Sequence, residues 1–214
     1  MTLYFVFLGV FSLLSQIVLL RELVSWLGGD ELFYTLGLGF WLLLSGAGSI
    51  LGRYFKNISA FMLLCLYAFM PSVIIIAFRC LLSQTLPVGQ IPGLGTSVLI
   101  IFLVLLVPAF LSGSLFYLGT EKWADSTRGY LRETVGFFIA GLVFTFLLSQ
   151  TSFPLPKEIN DASLRWHYPN LEKVIYSKGS QLVVTKSNRQ KNIFSGGGLI
   201  FSSQRNDFAD LAGR

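Results

Sequence analysis

Four polar residues interrupt the long apolar segments of this sequence, and their side chains have the chemistry to line a polar path or form a buried ion pair. They are Gln16, Arg21, Glu22 and Glu133. Ionisable groups inside a membrane are costly and normally face the interior of a helix bundle, where they find a partner. Adjacent residues point about 100° apart on a helix, so Arg21 and Glu22 pair poorly with each other. We predict that Arg21 pairs with Glu133, unless the first helix ends at Arg21 and this side chain snorkels to the interface.

Other chemistry has little support. Cys65 and Cys80 lack CxxC spacing and fall in or beside apolar runs, so we interpret them as buried thiols. The only histidine, His167, lies beside Trp166 and Tyr168 in a predicted loop and cannot complete a usual zinc site or a supported Ser-His-Asp arrangement. The glycines of GAGSILG lack the preceding strand of a dinucleotide fingerprint. No catalytic residue, metal or cofactor is predicted.

Membrane helices must position the polar residues. The chain has 214 residues, of which 53% are hydrophobic and 13% charged, and its mean hydropathy is +0.66. Soluble domains carry about a quarter charged residues. Residues 32–52 hold no charge, and a helix of about 20 residues crosses a bilayer. We predict a mostly α fold, a polytopic helical membrane bundle of about five spans, located in a bacterial or archaeal plasma membrane.

The apolar runs give the predicted bounds of the spans. They are residues 2–27, 32–52, 58–78, 94–118 and 134–150. Residues 79–92 contain Pro87, Gly89 and Pro92, which Gly93 follows, and they are predicted to be a loop. Residues 121–133 are predicted to be a second, polar loop. The transmembrane domain therefore covers residues 1–150.

The second span has a face of small residues. Ser45 and Ser49, and Gly48 and Gly52, form two small-xxx-small pairs one helical turn apart. Small residues allow close helix packing in lipid, where there is little hydrophobic drive between helices. We predict that these four residues pack against a neighbouring helix.

The sequence changes character after the fifth span. Residues 151–170 are predicted to be a proline-punctuated linker that cannot continue a helix. From residue 171 to 214, short β-branched and aromatic runs predict a partial β-meander, with turns at 178–179, 187–188 and 196–198. Three or four strands alone are marginal in water, so the meander is expected to need a covering partner.

Charge bears on partners and orientation. The last 64 residues carry nine of the 16 Lys and Arg residues, interspersed with acidic ones. This tail fits a solvated surface or contact with anionic headgroups, and no nucleic-acid partner is predicted; homo-oligomerisation is compatible with the sequence. The short loops on the N-terminal side carry five Lys and Arg residues, so the positive-inside rule places the N-terminus in the cytoplasm and the tail outside. The basic residues of the tail favour the reverse.

The order of these parts resembles that of spermidine synthase-like membrane proteins. Residues 16–53 and the segment RETVGFFIAGLVFTFLL resemble their multi-helix membrane region, and VIYSKGSQLVVTKSNRQKNIFSGGGLIFSSQ resembles the small β-domain that opens a spermidine synthase. In that family a polyamine aminopropyltransferase domain follows. The resemblance implies that this chain supplies the membrane anchor or platform for such a domain.

Some residues carry the resemblance and others depart from it. Gln181 matches the family's substrate-side glutamine, although Tyr176 precedes it by five residues instead of one. Phe201 replaces a second glutamine, and the family's Tyr-His-Glu segment becomes Asp210, Leu211 and Ala212. The nucleotide-binding α/β domain is not expected within these 214 residues. The chain alone is therefore predicted to be catalytically silent, with a separately encoded aminopropyltransferase domain as its implied partner.

Two other interpretations remain open. A small transporter-like or scaffold protein would use Gln16, Arg21 and Glu22 to line a polar path. A membrane subunit without any substrate would use the same residues for packing alone.

Overall fold

Five of the helices in this protein are long and apolar enough to cross a membrane, as the composition predicts. The computed structural model describes residues 2–28, 31–55, 59–123, 125–148, 154–176, 181–187, 190–195 and 197–203. The predicted turns at 178–179 and 188, Gly196 and the segment 206–212 lie outside the described residues. The fold is mostly helical and ends in a small antiparallel sheet.

The spanning helices follow one another with short connections. Their bounds are α1 Thr2–Trp26, α2 Glu31–Leu51, α3 Ala60–Thr85, α4 Leu94–Trp123 and α5 Ser126–Val143. A 3₁₀ turn, Gly52–Phe55, extends α2, and a π-helical turn, Phe144–Leu148, extends α5. Because α1 continues to Trp26, both Arg21 and Glu22 lie inside the first helix, as the longer of the two predicted placements requires.

Two segments predicted to be loops contain helix: half of residues 79–92 and most of residues 121–133. Helix α3 continues through Arg79 to Thr85, because the arginine has a buried acidic partner and does not have to leave the bundle. Helix α5 begins at Ser126 and not at Thr134, because the Asp125 side chain caps it by accepting a hydrogen bond from the Thr127 amide at 3.4 Å. Polarity alone therefore misplaced both helix ends.

The spans pack as two close pairs. Helix α2 lies along α4, and α5 lies along α1. A Cβ atom on Gly48 would collide with the Phe110 carbonyl oxygen, and one on Gly113 would collide with the Ser45 carbonyl oxygen. The α1–α5 pair is equally close, since a Cβ on Gly9 would collide with the Glu133 carbonyl oxygen. Small residues thus allow backbone-to-backbone approach within both pairs.

The segment predicted to be a linker contains a helix. This helix, α6 Lys157–Arg165, starts directly after Pro156, where a fixed φ suits the beginning of a helix. Its buried side chains are Asn160, Ser163 and Leu164, whereas its other face carries charges. Helix α6 is polar overall, so it has no apolar run that would predict a helix from the sequence.

The predicted meander is confirmed. Its strands are β1 Leu171–Tyr176, β2 Gln181–Ser187, β3 Gln190–Ser195 and β4 Gly198–Ser202, all antiparallel and paired in chain order. The sheet is covered by the helices: Tyr168, Val183 and Phe194 share one hydrophobic core with Trp26 of α1. A Cβ on Gly197, whose φ is +76°, would approach the Trp26 carbonyl oxygen at 2.6 Å, so the turn before β4 rests on the end of the first helix.

Candidate functional site

A buried ion pair joins the first and third helices at the end of the bundle nearest the sheet. Arg79 Nε donates to Glu22 Oε1 at 2.6 Å, and Arg79 Nη2 donates to Glu22 Oε2 at 3.0 Å. The side chains of Arg79 and Glu22 are only 3% and 9% exposed. The two parallel hydrogen bonds fix the guanidinium against the carboxylate, which is the strongest geometry for such a pair.

The same arginine reaches the tail. Its Nη1 donates to Ser163 Oγ at 2.7 Å and to Asn160 Oδ1 at 3.0 Å, both on α6. The Trp26 indole N–H donates to Glu22 Oε1 at 2.9 Å from the other side. We call this set, Glu22, Trp26, Arg79, Asn160 and Ser163, the tail joint. Its hydrogen bonds connect α1, α3 and α6, so it positions the tail against the membrane helices.

Two aromatic side chains extend the tail joint toward the sheet. The ring of Trp26 lies 4.9 Å from that of His167 and 5.8 Å from that of Tyr168. Burial raises the pKa of Tyr168 to about 12, with a further contribution from the Glu22 carboxylate, and burial lowers the pKa of His167 below 6.5. His167 lies in the turn after α6, in line with the predicted loop, and it is buried.

The predicted pair between Arg21 and Glu133 is wrong. Helices α1 and α5 run parallel with Glu133 level with Gly9, and Arg21 lies twelve residues further along α1, about 18 Å away at 1.5 Å per residue. The Arg21 guanidinium instead lies 5.6 Å from the centre of the Phe144 ring. Glu22, which the prediction treated as part of a polar path, is the partner of Arg79.

A polar cleft lies between four of the spans, on the other half of the bundle. Its volume is about 360 Å³, and it contains two of the four polar residues that the sequence singled out, Gln16 and Glu133. The remaining lining residues are hydroxyl, aromatic and small apolar side chains: Ser12, Trp41, Leu42, Ser45, Ser49, Ser112, Gly113, Phe116, Tyr130 and Phe137. The structure thus groups Gln16 and Glu133 with the small-residue face of the second span and excludes Arg21 and Glu22.

Glu133 is the charged group of the cleft. It is only 8% exposed, and its carboxylate makes no hydrogen bond or ion pair with any other residue that the structure describes. The hydroxyls of Ser12 and Ser112, 2.7 Å apart, bond to each other across the α1–α4 contact. An ionisable side chain within a span is a candidate functional group, because burying its charge there is costly.

The small residues of α2 divide between packing and the cleft. Gly48 faces the α4 backbone, and Gly52 lies against Tyr117 on the same helix. Ser49 donates to the Gly113 carbonyl at 3.2 Å and also lines the cleft with Ser45. The face predicted from small-xxx-small spacing therefore contacts α4 along one edge and borders the cleft along the other.

Gln181 lies in a different environment from the cleft. It begins β2, where the backbone pairs it with Tyr176, and it is 8% exposed. Its Nε2 has no hydrogen-bond partner among the described residues, and the cavity beside it, lined also by Trp26 and Tyr168, measures about 10 Å³. This volume matches one water molecule, so the pocket next to Gln181 has no room for an amine substrate.

Sequence reasoning missed several of these residues and misplaced others. Arg79 was assigned to a loop, although its position after a long apolar run could have indicated an intramembrane cation. Nothing in the sequence singles out Asn160, Ser163 or Tyr130. Cys65 is exposed on α3 and Cys80 is partly exposed, so neither is a fully buried thiol. Within the described part of the chain, no cluster of three His, Cys, Asp or Glu residues could hold a metal ion.

Comparison with protein-family profiles, with curated proteins and with solved structures found no match to this chain.

Proposed function

We propose that this protein is a membrane platform that holds a small β-sheet ready for an aminopropyltransferase domain of the spermidine synthase type, in a bacterial or archaeal plasma membrane. The order of parts in the sequence supports this proposal, since a multi-span region is followed by a short meander that resembles the opening β-domain of that family. The transferase domain would be a separately encoded partner, and a homo-oligomeric platform is compatible with the proposal.

One observation carries the proposal: the tail is fixed to the spans by the tail joint. Arg79 connects Glu22 of α1 to Asn160 and Ser163 of α6 through buried hydrogen bonds. The Trp26, Tyr168 and Phe194 side chains continue this contact into the sheet as one apolar core. A tail that only tethered a soluble enzyme would not need such a connection, whereas a platform requires it to hold its partner in one orientation.

Exposed apolar residues on the two edge strands of the sheet supply a surface for the partner. Leu199, Ile200 and Phe201 on β4 and Ile175 on β1 are each 41–55% exposed. Exposed apolar patches on soluble surfaces mark interaction sites. We therefore assign the transferase contact to the β4 edge of the meander, where three of these four residues lie.

The orientation of the tail tests the proposal. A transferase partner that takes its aminopropyl donor from the cytoplasm requires a cytoplasmic tail. Five spans place the N-terminus and the sheet on opposite sides of the membrane, and the five basic residues on the N-terminal side oppose a cytoplasmic tail under the positive-inside rule.

The experiment uses the full chain with epitope tags at both ends in right-side-out vesicles, treated with protease before and after permeabilisation. We expect the C-terminal tag to be protected until the vesicles are opened, and the N-terminal tag to be cleaved at once. Cleavage of the C-terminal tag in sealed vesicles would reject a cytoplasmic transferase partner.

A second candidate function is favoured by the cleft. Its volume of about 360 Å³, with Gln16 and Glu133 in the lining, suits a transporter-like protein that binds a polar solute. Proteoliposomes containing the purified chain test it through uptake of a radiolabelled amine, with Glu133→Gln as the comparison. Uptake equal to that of empty liposomes would reject the transporter-like function.

A further inference from the structure

The cleft is open on one side, between α2 and α5. Helix α2 packs on α4 and α5 packs on α1, but α2 and α5 have no substantial contact with each other in the described part of the chain. Two rim residues from these helices, Leu42 and Tyr130, are 70% and 64% exposed. Both helices are among the five that are long and apolar enough to span a membrane, so we infer that this opening faces lipid.

The interior of the cleft combines one negative group with aromatic rings. Glu133 is the single acidic residue among the described side chains that line it, and no basic residue joins them. Trp41, Phe116 and Phe137 contribute rings to the same lining. Carboxylate and aromatic faces together are the groups that bind ammonium ions, by charge and by cation–π attraction.

We propose that this cleft binds one ammonium group carried on an apolar chain, which enters from the lipid between α2 and α5. The ammonium neutralises the Glu133 carboxylate, for which the described protein offers no cation. Gln16 and the serine hydroxyls accept the remaining N–H hydrogen bonds, and the apolar chain extends past Leu42 toward the lipid.

The geometry also selects against other amines. A second ammonium group on the same ligand would find no second carboxylate in the described lining, so a diamine of equal length is disfavoured. A short hydrophilic amine has no apolar part to place at the lipid-facing rim. The volume of about 360 Å³ lies within the range of small-molecule sites, which is ample for the head and first carbons of a single-chain amine.

The test measures saturable binding of radiolabelled n-octylamine to the full chain in lipid nanodiscs, after subtraction of binding to empty nanodiscs. We expect one site per chain. n-Octanol, 1,8-diaminooctane and ethylamine should each compete at least about tenfold more weakly than unlabelled n-octylamine. The first has no ammonium group, the second has a charge at the end that would meet the lipid, and the third has no long apolar chain. If n-octanol competes as well as n-octylamine, the ionic contact with Glu133 is overturned. If 1,8-diaminooctane does, the preference for a single ammonium group is overturned. If ethylamine does, the placement of an apolar chain toward the lipid is overturned.

Variants locate the site. Glu133→Gln should lower the affinity for n-octylamine at least about tenfold, since it removes the ionic partner. The matched control Glu31→Gln changes an exposed carboxylate at the start of α2 and should leave affinity unchanged. Leu42→Trp narrows the opening at a largely exposed position, and it should also weaken binding while the protein still elutes as one species.

Three results would reject the site. The first is an absence of saturable binding to the wild-type chain, and the second is equal affinity of Glu133→Gln and Glu31→Gln for n-octylamine. The third is wild-type affinity of both single variants, Leu42→Trp and Glu133→Gln. The proposal does not depend on the platform function, because binding and tail orientation are separate measurements.

Discussion

Replacing Arg79 with methionine tests the tail joint directly. The substitution keeps a long flexible side chain in α3 but removes the cation that faces Glu22 at 2.6 Å. It leaves the Glu22 carboxylate buried with the Trp26 indole N–H as its remaining hydrogen-bond donor among the contacts described above. It also removes the donor to Asn160 and Ser163, so α6 loses its polar connection to the spans.

The expected loss follows from these contacts. Removing one partner of a buried ion pair costs about 3–5 kcal/mol in the free energy of unfolding. Glu22→Gln should cost less, about 1–3 kcal/mol, because Arg79 would keep its acceptors on α6 while the new amide oxygen could still accept from the Trp26 indole. Combining the two changes should recover about 2–3 kcal/mol relative to the sum of the single losses, since the buried charge is then gone.

The assay is unfolding in mixed micelles of increasing SDS fraction, followed by circular dichroism. Arg53→Met, on an exposed arginine after α2, is the matched control and should change the free energy of unfolding by less than about 0.5 kcal/mol. A loss below about 1 kcal/mol for Arg79→Met, or strict additivity in the double variant, would refute the assignment of a buried, coupled pair.

Three further predictions address other contacts. Gly48→Leu should lower the free energy of unfolding by about 1–3 kcal/mol because the side chain collides with the α4 backbone, whereas Gly39→Leu, with nothing within 4 Å, should be near neutral; equal melting losses in detergent would contradict the assigned face. The contribution of His167 to stability should be full above pH 6.5 and fall as pH drops from 6.5 toward its lowered pKa, because the unfolded chain binds that proton more readily; His167→Phe should flatten this part of a pH series of thermal melts. Gly197→Ala should loosen the sheet from the Trp26 backbone, which limited proteolysis would report as faster cleavage after residue 170, and an unchanged rate would exclude this contact as a determinant of tail docking.

Apolar length and strand pattern were sufficient to predict the main architecture. Five long apolar runs predicted five spans, and short β-branched runs separated by turn residues predicted the meander. Both signals are local, because a span must hide its own backbone hydrogen bonds from lipid and a strand must alternate its side chains. The small residues of α2 were likewise recognisable from one-turn spacing alone.

Partners of the polar residues could not be predicted in the same way. Which side chains pair depends on the position of each helix along the membrane normal. If one helix is displaced along this axis by a few residues, different charged side chains come into contact. Glu133 lies level with Gly9, so it misses Arg21 and lines the cleft, whereas Arg79 lies within reach of Glu22. Helix α6 was missed for a related reason: its apolar content is small, and its burial depends on contacts with α3.

The tail joint imposes an order on the making of the protein. Glu22 and Arg79 are 57 residues apart in the chain, so at about 5–20 residues per second roughly 3–11 s pass between their synthesis. Throughout that interval the nascent first helix carries the Glu22 carboxylate without Arg79 to pair with it. The third helix ends this interval, and α6 closes the joint only after two more helices have been inserted. Docking of the tail therefore requires that the membrane helices have been inserted. In a chain whose third helix is misinserted, the tail would stay undocked.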